Sequence, residues 1–140
     1  MLAVAFVAAT LVSCTSQDDS GIPEKKSRTL RLDAIALVQG DESPGLESVS
    51  ISRHGFTYLF ASPENKATFE ANPERYEIQL GGACARMGAL SGEGTTDLFA
   101  VHEGKIYIFA SEGCRRGFLK APQKVLDRAD PLPPVNALAD

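Results

Sequence analysis

The chain has 140 residues, three cysteines, no tryptophan, and 14 basic against 18 acidic residues, for a net charge of −4. Scattered Lys and Arg at this balance form no basic stripe, which argues against nucleic-acid binding. The length allows one folded core rather than two.

Residues 1–13 are almost wholly apolar, and their end, Leu11-Val12-Ser13, is followed by Cys14. A run this short falls below the ~20 residues needed to span a bilayer and fits the core of a secretory signal. Small residues before a cysteine resemble the lipobox of bacterial lipoproteins. That resemblance implies acylation of Cys14, a membrane anchor through an N-terminal lipid, and a domain in the cell envelope facing the periplasm or exterior. No Lys or Arg precedes the apolar stretch, so the charged start of a typical signal is missing. Residues 14–28 are polar and read as a flexible tether. Residues 127–140, with Pro131-Leu-Pro-Pro134, have no helical or strand period and read as a disordered tail. The folded domain is expected over 29–126.

Within it, Thr29–Val38 mixes apolar residues with partial alternation, and extended segments are the preferred reading over a short helix. Val49-Ser-Ile-Ser-Arg53 alternates cleanly, with Val49 and Ile51 facing one way. His54-Gly55 then reads as a two-residue hairpin loop, and Phe56-Thr-Tyr-Leu-Phe60 as the returning strand. Ser62 stands as a helix N-cap, Pro63 at the first helical position and Pro73 at the helix end.

This pattern is written twice. Shifted by 49 positions without a gap, the segment 54–73 matches 103–122 at Gly55/Gly104, Tyr58/Tyr107, Phe60/Phe109, Ala61/Ala110, Ser62/Ser111, Phe69/Phe118 and Pro73/Pro122. The second copy therefore repeats a strand over 98–102, a Glu103-Gly104 turn, a strand over 105–109 and a helix capped by Ser111. In each helix, positions 65 and 69, or 114 and 118, share one face. With Phe69 and Phe118 as core anchors, Asn65 and Cys114 should also point inward. One hairpin plus helix is too small to bury its own apolar face. The fold class expected is α+β, two β-hairpin-plus-helix units packed as one small domain.

Several of these residues carry a family resemblance. Tyr58-Leu-Phe60-Ala-Ser62, Lys66, Phe69, Asn72-Pro73-Glu74-Arg-Tyr76 and Gly81-Gly82-Ala-Cys84-Ala together resemble the YHS domain, especially the exported bacterial type. Leu32-Asp33-Ala-Ile-Ala-Leu-Val38 is similar to the opening segment of those proteins. The resemblance covers roughly 32–126 and implies the handling of transition or heavy metals. The metal-binding relatives carry cysteines that this chain replaces with Ala61, Ala110 and Asn65. Only Cys114 matches a helical cysteine, while Cys84 matches the Gly-Gly-x-Cys of the exported type.

With Cys14 assigned to lipid, Cys84 and Cys114 remain as an even pair in a compartment that permits disulfides. Three readings of the pair stand open. They form a structural disulfide, worth roughly 2–4 kcal/mol, in a structural or interaction module beside an envelope partner. They are soft ligands, with Met87 or His102, for copper or zinc. Or Cys84 is a redox thiol with Cys114 as resolving partner, and Arg86 nearby to favour its thiolate. The glycines around Cys84 lack the Gly-Lys-Ser/Thr of a phosphate loop. His54 at a hairpin tip is expected to face solvent. No paired acidic groups or Ser-His-Asp arrangement is legible, so an enzyme is not the favoured reading.

Overall fold

A computed structural model of the protein describes residues 26–86 and 92–128. Residues 1–25, which hold the expected signal segment and Cys14, lie outside the described residues, as do Met87 and residues 129–140 of the expected tail. No helix among the described residues is long and apolar enough to cross a membrane.

The elements run in the order β1 (Thr29–Leu30), α1 (Ala34–Val38), β2 (Leu46–Arg53), β3 (Phe56–Phe60), α2 (Pro63–Ala71), α3 (Pro73–Tyr76), a 3-10 turn (Gln79–Gly82), β4 (Thr95–His102), β5 (Lys105–Phe109), α4 (Glu112–Lys120) and α5 (Pro122–Leu126). One sheet has the order β1-β3-β2 and the other pairs β4 with β5. This is an α+β domain built from two hairpin-plus-helix units, as the repeat predicts.

Both hairpins turn on two residues with positive φ, His54 and Gly55 at 49° and 78°, Glu103 and Gly104 at 52° and 71°. This is the left-handed pair that matches the twist of adjoining strands. Ser62 and Ser111 each accept the backbone N–H three residues on, at 3.2 Å in both cases. Pro73 and Pro122 do more than end the helices. Each starts a further short helix, α3 or α5, because a proline is suited to a first turn.

The 29–38 stretch divides differently from the extended reading. Only Thr29–Leu30 is strand, and Ala34–Val38 is helical, started by the Asp33 side chain accepting from the N–H groups of Ile35 and Ala36. Ala34, Ile35, Ala36 and Leu37 are all buried, so no amphipathic period marks this helix.

The duplication runs well beyond the hairpins and helices. β1 pairs parallel with β3 through Thr29 opposite Thr57, and Ile78 pairs parallel with Ile106, 49 positions on in both partners. β2 and β4 carry the same register shift, between Leu46 and Ser50 and between Thr95 and Phe99. The bridge from Leu32 to Pro44 recurs from Ala83 to Glu93. Gly45 and Gly94 play one part: a Cβ on Gly45 would come within 2.3 Å of the Leu59 backbone, and one on Gly94 within 2.6 Å of Ile108. Only a residue without Cβ lets the chain pass so close. The segment from Ile78 to Cys84 is thus the opening of the second copy itself.

Two apolar clusters follow from this doubling. The first gathers Leu30, Ile35, Leu37, Phe56, Tyr58, Phe60 and Phe69 with Ile78, Ile106 and Ile108. The second gathers Cys84, Ala85, Ala100, Tyr107, Phe109, Cys114 and Phe118. Alternate residues of β5 serve the two clusters, since successive side chains of a strand point to opposite faces. In each copy the helical Phe packs between the two strand aromatics. Phe69 lies 4.8 Å from Tyr58 and 5.2 Å from Phe60, and Phe118 lies 5.3 Å from Tyr107 and 5.1 Å from Phe109, between ring centroids.

The copies are also clasped by polar contacts. The Tyr58 hydroxyl accepts from the N–H of Ile78, the first paired residue of the second copy, at 2.9 Å. In return, the Thr96 N–H donates to the Ser27 carbonyl and its hydroxyl to the Thr29 carbonyl, beside β1.

Candidate functional site

The site is built from a pair of equivalent positions at the base of each unit. In the first copy, Asp33 is fully buried. One carboxylate oxygen accepts from the N–H groups of Ile35 at 2.8 Å and Ala36 at 3.3 Å. The other accepts from the Ala61 N–H at 2.7 Å and the Asn65 side-chain amide at 2.8 Å. A buried carboxylate needs such donors, because removing the charge from water unpaired is costly. The Asp33–Asn65 bond thus ties the start of the unit to the first turn of its helix.

In the second copy both positions are cysteine. The Asp33 N–H donates to the Ser43 carbonyl at 2.9 Å, and the Cys84 N–H to the Gly92 carbonyl at 3.0 Å. Two residues earlier the match is just as close, Gly45 N–H to Arg31 carbonyl against Gly94 N–H to Gly82 carbonyl. Cys84 therefore stands where Asp33 stands, 51 positions on, and Cys114 stands where Asn65 stands, 49 positions on. The two extra residues are Leu80 and Gly81, both at positive φ near 60° inside the 3-10 turn, which absorbs them as a local loop. Cys84 is fully buried and Cys114 is 9 % exposed, both in the second apolar cluster.

The two thiols are not joined by a disulfide. Both thiols thus fall in one apolar cluster, unbridged. They share that cluster with Ala85, Ala100, Tyr107, Phe109 and Phe118. Sulfur donors in such a setting fit a soft metal.

The remaining expected ligands fare differently. Met87 lies outside the described residues. His102 is half-buried at the end of β4, with its ring edge-on to Phe118 at 6.1 Å. Its Nε2 is buried and has no hydrogen-bond partner. Among the described residues, no three or more His, Cys, Asp or Glu side chains gather as a metal-holding group. His102 therefore does not stand with the two thiols as a third donor in this arrangement.

The repeat explains the isolated imidazole. Its first-copy equivalent is Arg53, which donates from Nε to Glu77 at 2.6 Å. The position matching Glu77 is Leu126, so the carboxylate is gone. His54, exposed at its hairpin tip, places Nδ1 3.2 Å from the same Glu77 oxygen.

Two residues of this site escaped sequence reasoning. Asp33 appeared only inside a family-like segment, and nothing local marks it as the partner of Asn65, 32 positions away. Gly117 gave no signal beyond being a glycine within a helix, yet the guanidinium of Arg86 rests on it. A Cβ at 117 would come within 2.5 Å of Arg86 Nη1. A helical glycine costs about 1 kcal/mol against alanine, which could have prompted the question of what passes there.

Burial also acts on the two repeat tyrosines. It pushes the Tyr58 hydroxyl well above the ordinary phenol range, partly offset by the Ile78 N–H bond. It raises Tyr107 too, with the Glu103 carboxylate adding to the effect. Compared with known proteins, the chain matches no family model, no curated protein and no solved structure.

Proposed function

We propose that this chain is a YHS-like binding domain of the bacterial cell envelope, anchored through a lipid on Cys14, whose second copy binds a transition metal, copper or zinc, through Cys84 and Cys114. One observation carries the metal part of the reading. The second copy replaces a hydrogen-bonded acid–amide pair with two thiols on the same framework. A duplicated fold that needed only a latch here could have kept the aspartate and asparagine. Two cysteines at these matched positions supply soft donors instead. Their low exposure also disfavours a freely reactive thiol, which is ordinarily accessible to its substrate.

The test is metal content of the full chain, purified in detergent and kept reduced under anaerobic conditions. The expected result is one equivalent of copper or zinc per chain, lost in Cys84→Ser and in Cys114→Ser. An oxidised Cys84–Cys114 bond that resists mild reductant would sink the reading in favour of a structural disulfide. Rapid, pH-dependent alkylation of Cys84 with no bound metal would favour thiol redox chemistry. The anchor is tested separately, by the mass of the mature N-terminus and by release from membranes in Cys14→Ser.

A further inference from the structure

The second copy differs from the first by more than two thiols. Arg86 follows Cys84 by two residues, where the first copy has Ile35. Its guanidinium lies along α4 at Gly117, where the first copy has Thr68. A Cβ on residue 117 would meet Arg86 Nη1 at 2.5 Å and both Cζ and Nε at 2.7 Å. Any side chain there would push the arginine away. Gly117 is three residues beyond Cys114 on the same helix, so the seat of the guanidinium and the thiol share a face. Cys84, Arg86, Cys114 and Gly117 therefore change together between the copies, and together they place two potential thiolates and one exposed positive charge against one helix.

Charge counting distinguishes the ions that could sit between the sulfurs. Two thiolates carry a charge of −2, so a divalent ion yields a neutral complex and a monovalent ion leaves a residual −1. A residual charge within an apolar cluster is costly unless paired. An arginine on the helix face that carries Cys114 is suited to that pairing, being always protonated. A neutral complex has no need of it. Zinc, moreover, favours four donors, whereas Cu(I) is selected by soft sulfur. Among the described residues no third His, Cys, Asp or Glu joins a metal-holding group.

Resting on the metal reading above, we propose that Cys84 and Cys114 take a monovalent soft cation, Cu(I), as a bis-thiolate complex whose residual charge is balanced by Arg86 seated on Gly117. Each thiol gives up one proton to solvent as its S–metal bond forms. The ion enters already monovalent, so no electron is transferred.

The experiment uses the reduced full chain in detergent, with Cu(I) delivered from a competing chelator, Ag(I) as a redox-silent probe, and Zn(II) in parallel. The expected complex holds one Cu(I) or Ag(I), shows two sulfur scatterers by X-ray absorption, and releases two protons per ion. Zn(II) should fail to displace it. Arg86→Gln and Gly117→Leu should each weaken Cu(I) binding about fivefold, the upper end of what an exposed charge pair contributes, and Arg86→Lys should recover part of that loss. Circular dichroism and thermal unfolding of each variant separate this effect from misfolding. Three-coordinate copper that becomes two-coordinate in Met87→Leu would overturn the proposal. So would Zn(II) binding that outcompetes Cu(I), or Cu(I) affinity indifferent to Arg86→Gln in a folded variant. Those outcomes leave the metal function standing. Failure to bind copper, silver or zinc at all would remove both.

Discussion

At the scale of single residues, the most telling comparison is between Asp33 with Asn65 and Cys84 with Cys114. The first pair is polar and satisfied, with four donors converging on one buried carboxylate. Asp33→Ala would orphan several buried N–H groups and remove the cap of α1. It is expected to cost about 3 kcal/mol or more in chemical unfolding. Asn65→Ala removes one charge-assisted bond and should cost about 1–3 kcal/mol. Cys114→Ser at the matched position should cost less, because no buried carboxylate stands opposite it. Equal costs at Asn65 and Cys114 would contradict the separation between a structural latch in one copy and a soft-donor pair in the other. His102 shows the same divergence. It inherits the place of Arg53 but not a counterpart of Glu77, and its buried Nε2 is left without a bond.

At the scale of elements, the repeat predicts parity. Ser62 and Ser111 cap α2 and α4 with the same bond length and nearly the same backbone angles, φ −150° and −153°. Ser62→Ala and Ser111→Ala are each expected to lower stability by about 1 kcal/mol, measured by denaturant midpoint at unchanged slope. A large imbalance would mean that one helix is held mainly by its buried Phe rather than by its cap. These caps, the two hairpin turns and the prolines were all legible in the sequence. Each expresses a local backbone requirement that a specific residue meets within three or four positions. Helix α1 was less legible for the opposite reason. It has five residues, nearly all buried, and its start depends on the Asp33 cap within a run that reads equally well as strand.

At the scale of the whole molecule, the two copies interlock. Tyr58 reaches across to the Ile78 backbone, and Thr96 reaches back to Ser27 and Thr29. Burial makes the neutral Tyr58 hydroxyl the form compatible with the fold. The sign of the linkage follows. The folded-state pKa lies above the unfolded value, so this contribution is complete below about pH 10 and is lost progressively as pH rises above it. Alkaline titration of phenolate absorbance should show Tyr58 ionising only together with unfolding. Tyr58→Phe leaves the Ile78 N–H without its acceptor and should loosen the joint, read as faster amide exchange at Ile78 in addition to a lower melting temperature. A Tyr58 that titrates near pH 10 in the folded state would contradict the clasp.

The sequence by itself determined the repeated unit. Its turn glycines, cap serines, helix-bounding prolines and alternating aromatics each act on neighbours along the chain, so their spacing alone specifies a hairpin followed by a helix. It also supplied the contrast between Asn65 and Cys114, because the 49-residue shift holds across that stretch. The tertiary structure decided how far the repeat extends and which residues face one another. Leu80 and Gly81 insert two residues, and Cys84 and Gly92 stand two positions closer in sequence than Asp33 and Ser43, so the constant shift fails just where the second copy begins. Hydrogen-bonded pairing tolerates such a loop-out while a linear comparison does not. For that reason the equivalence of Cys84 with Asp33 emerges only from matched backbone bonds across the folded chain.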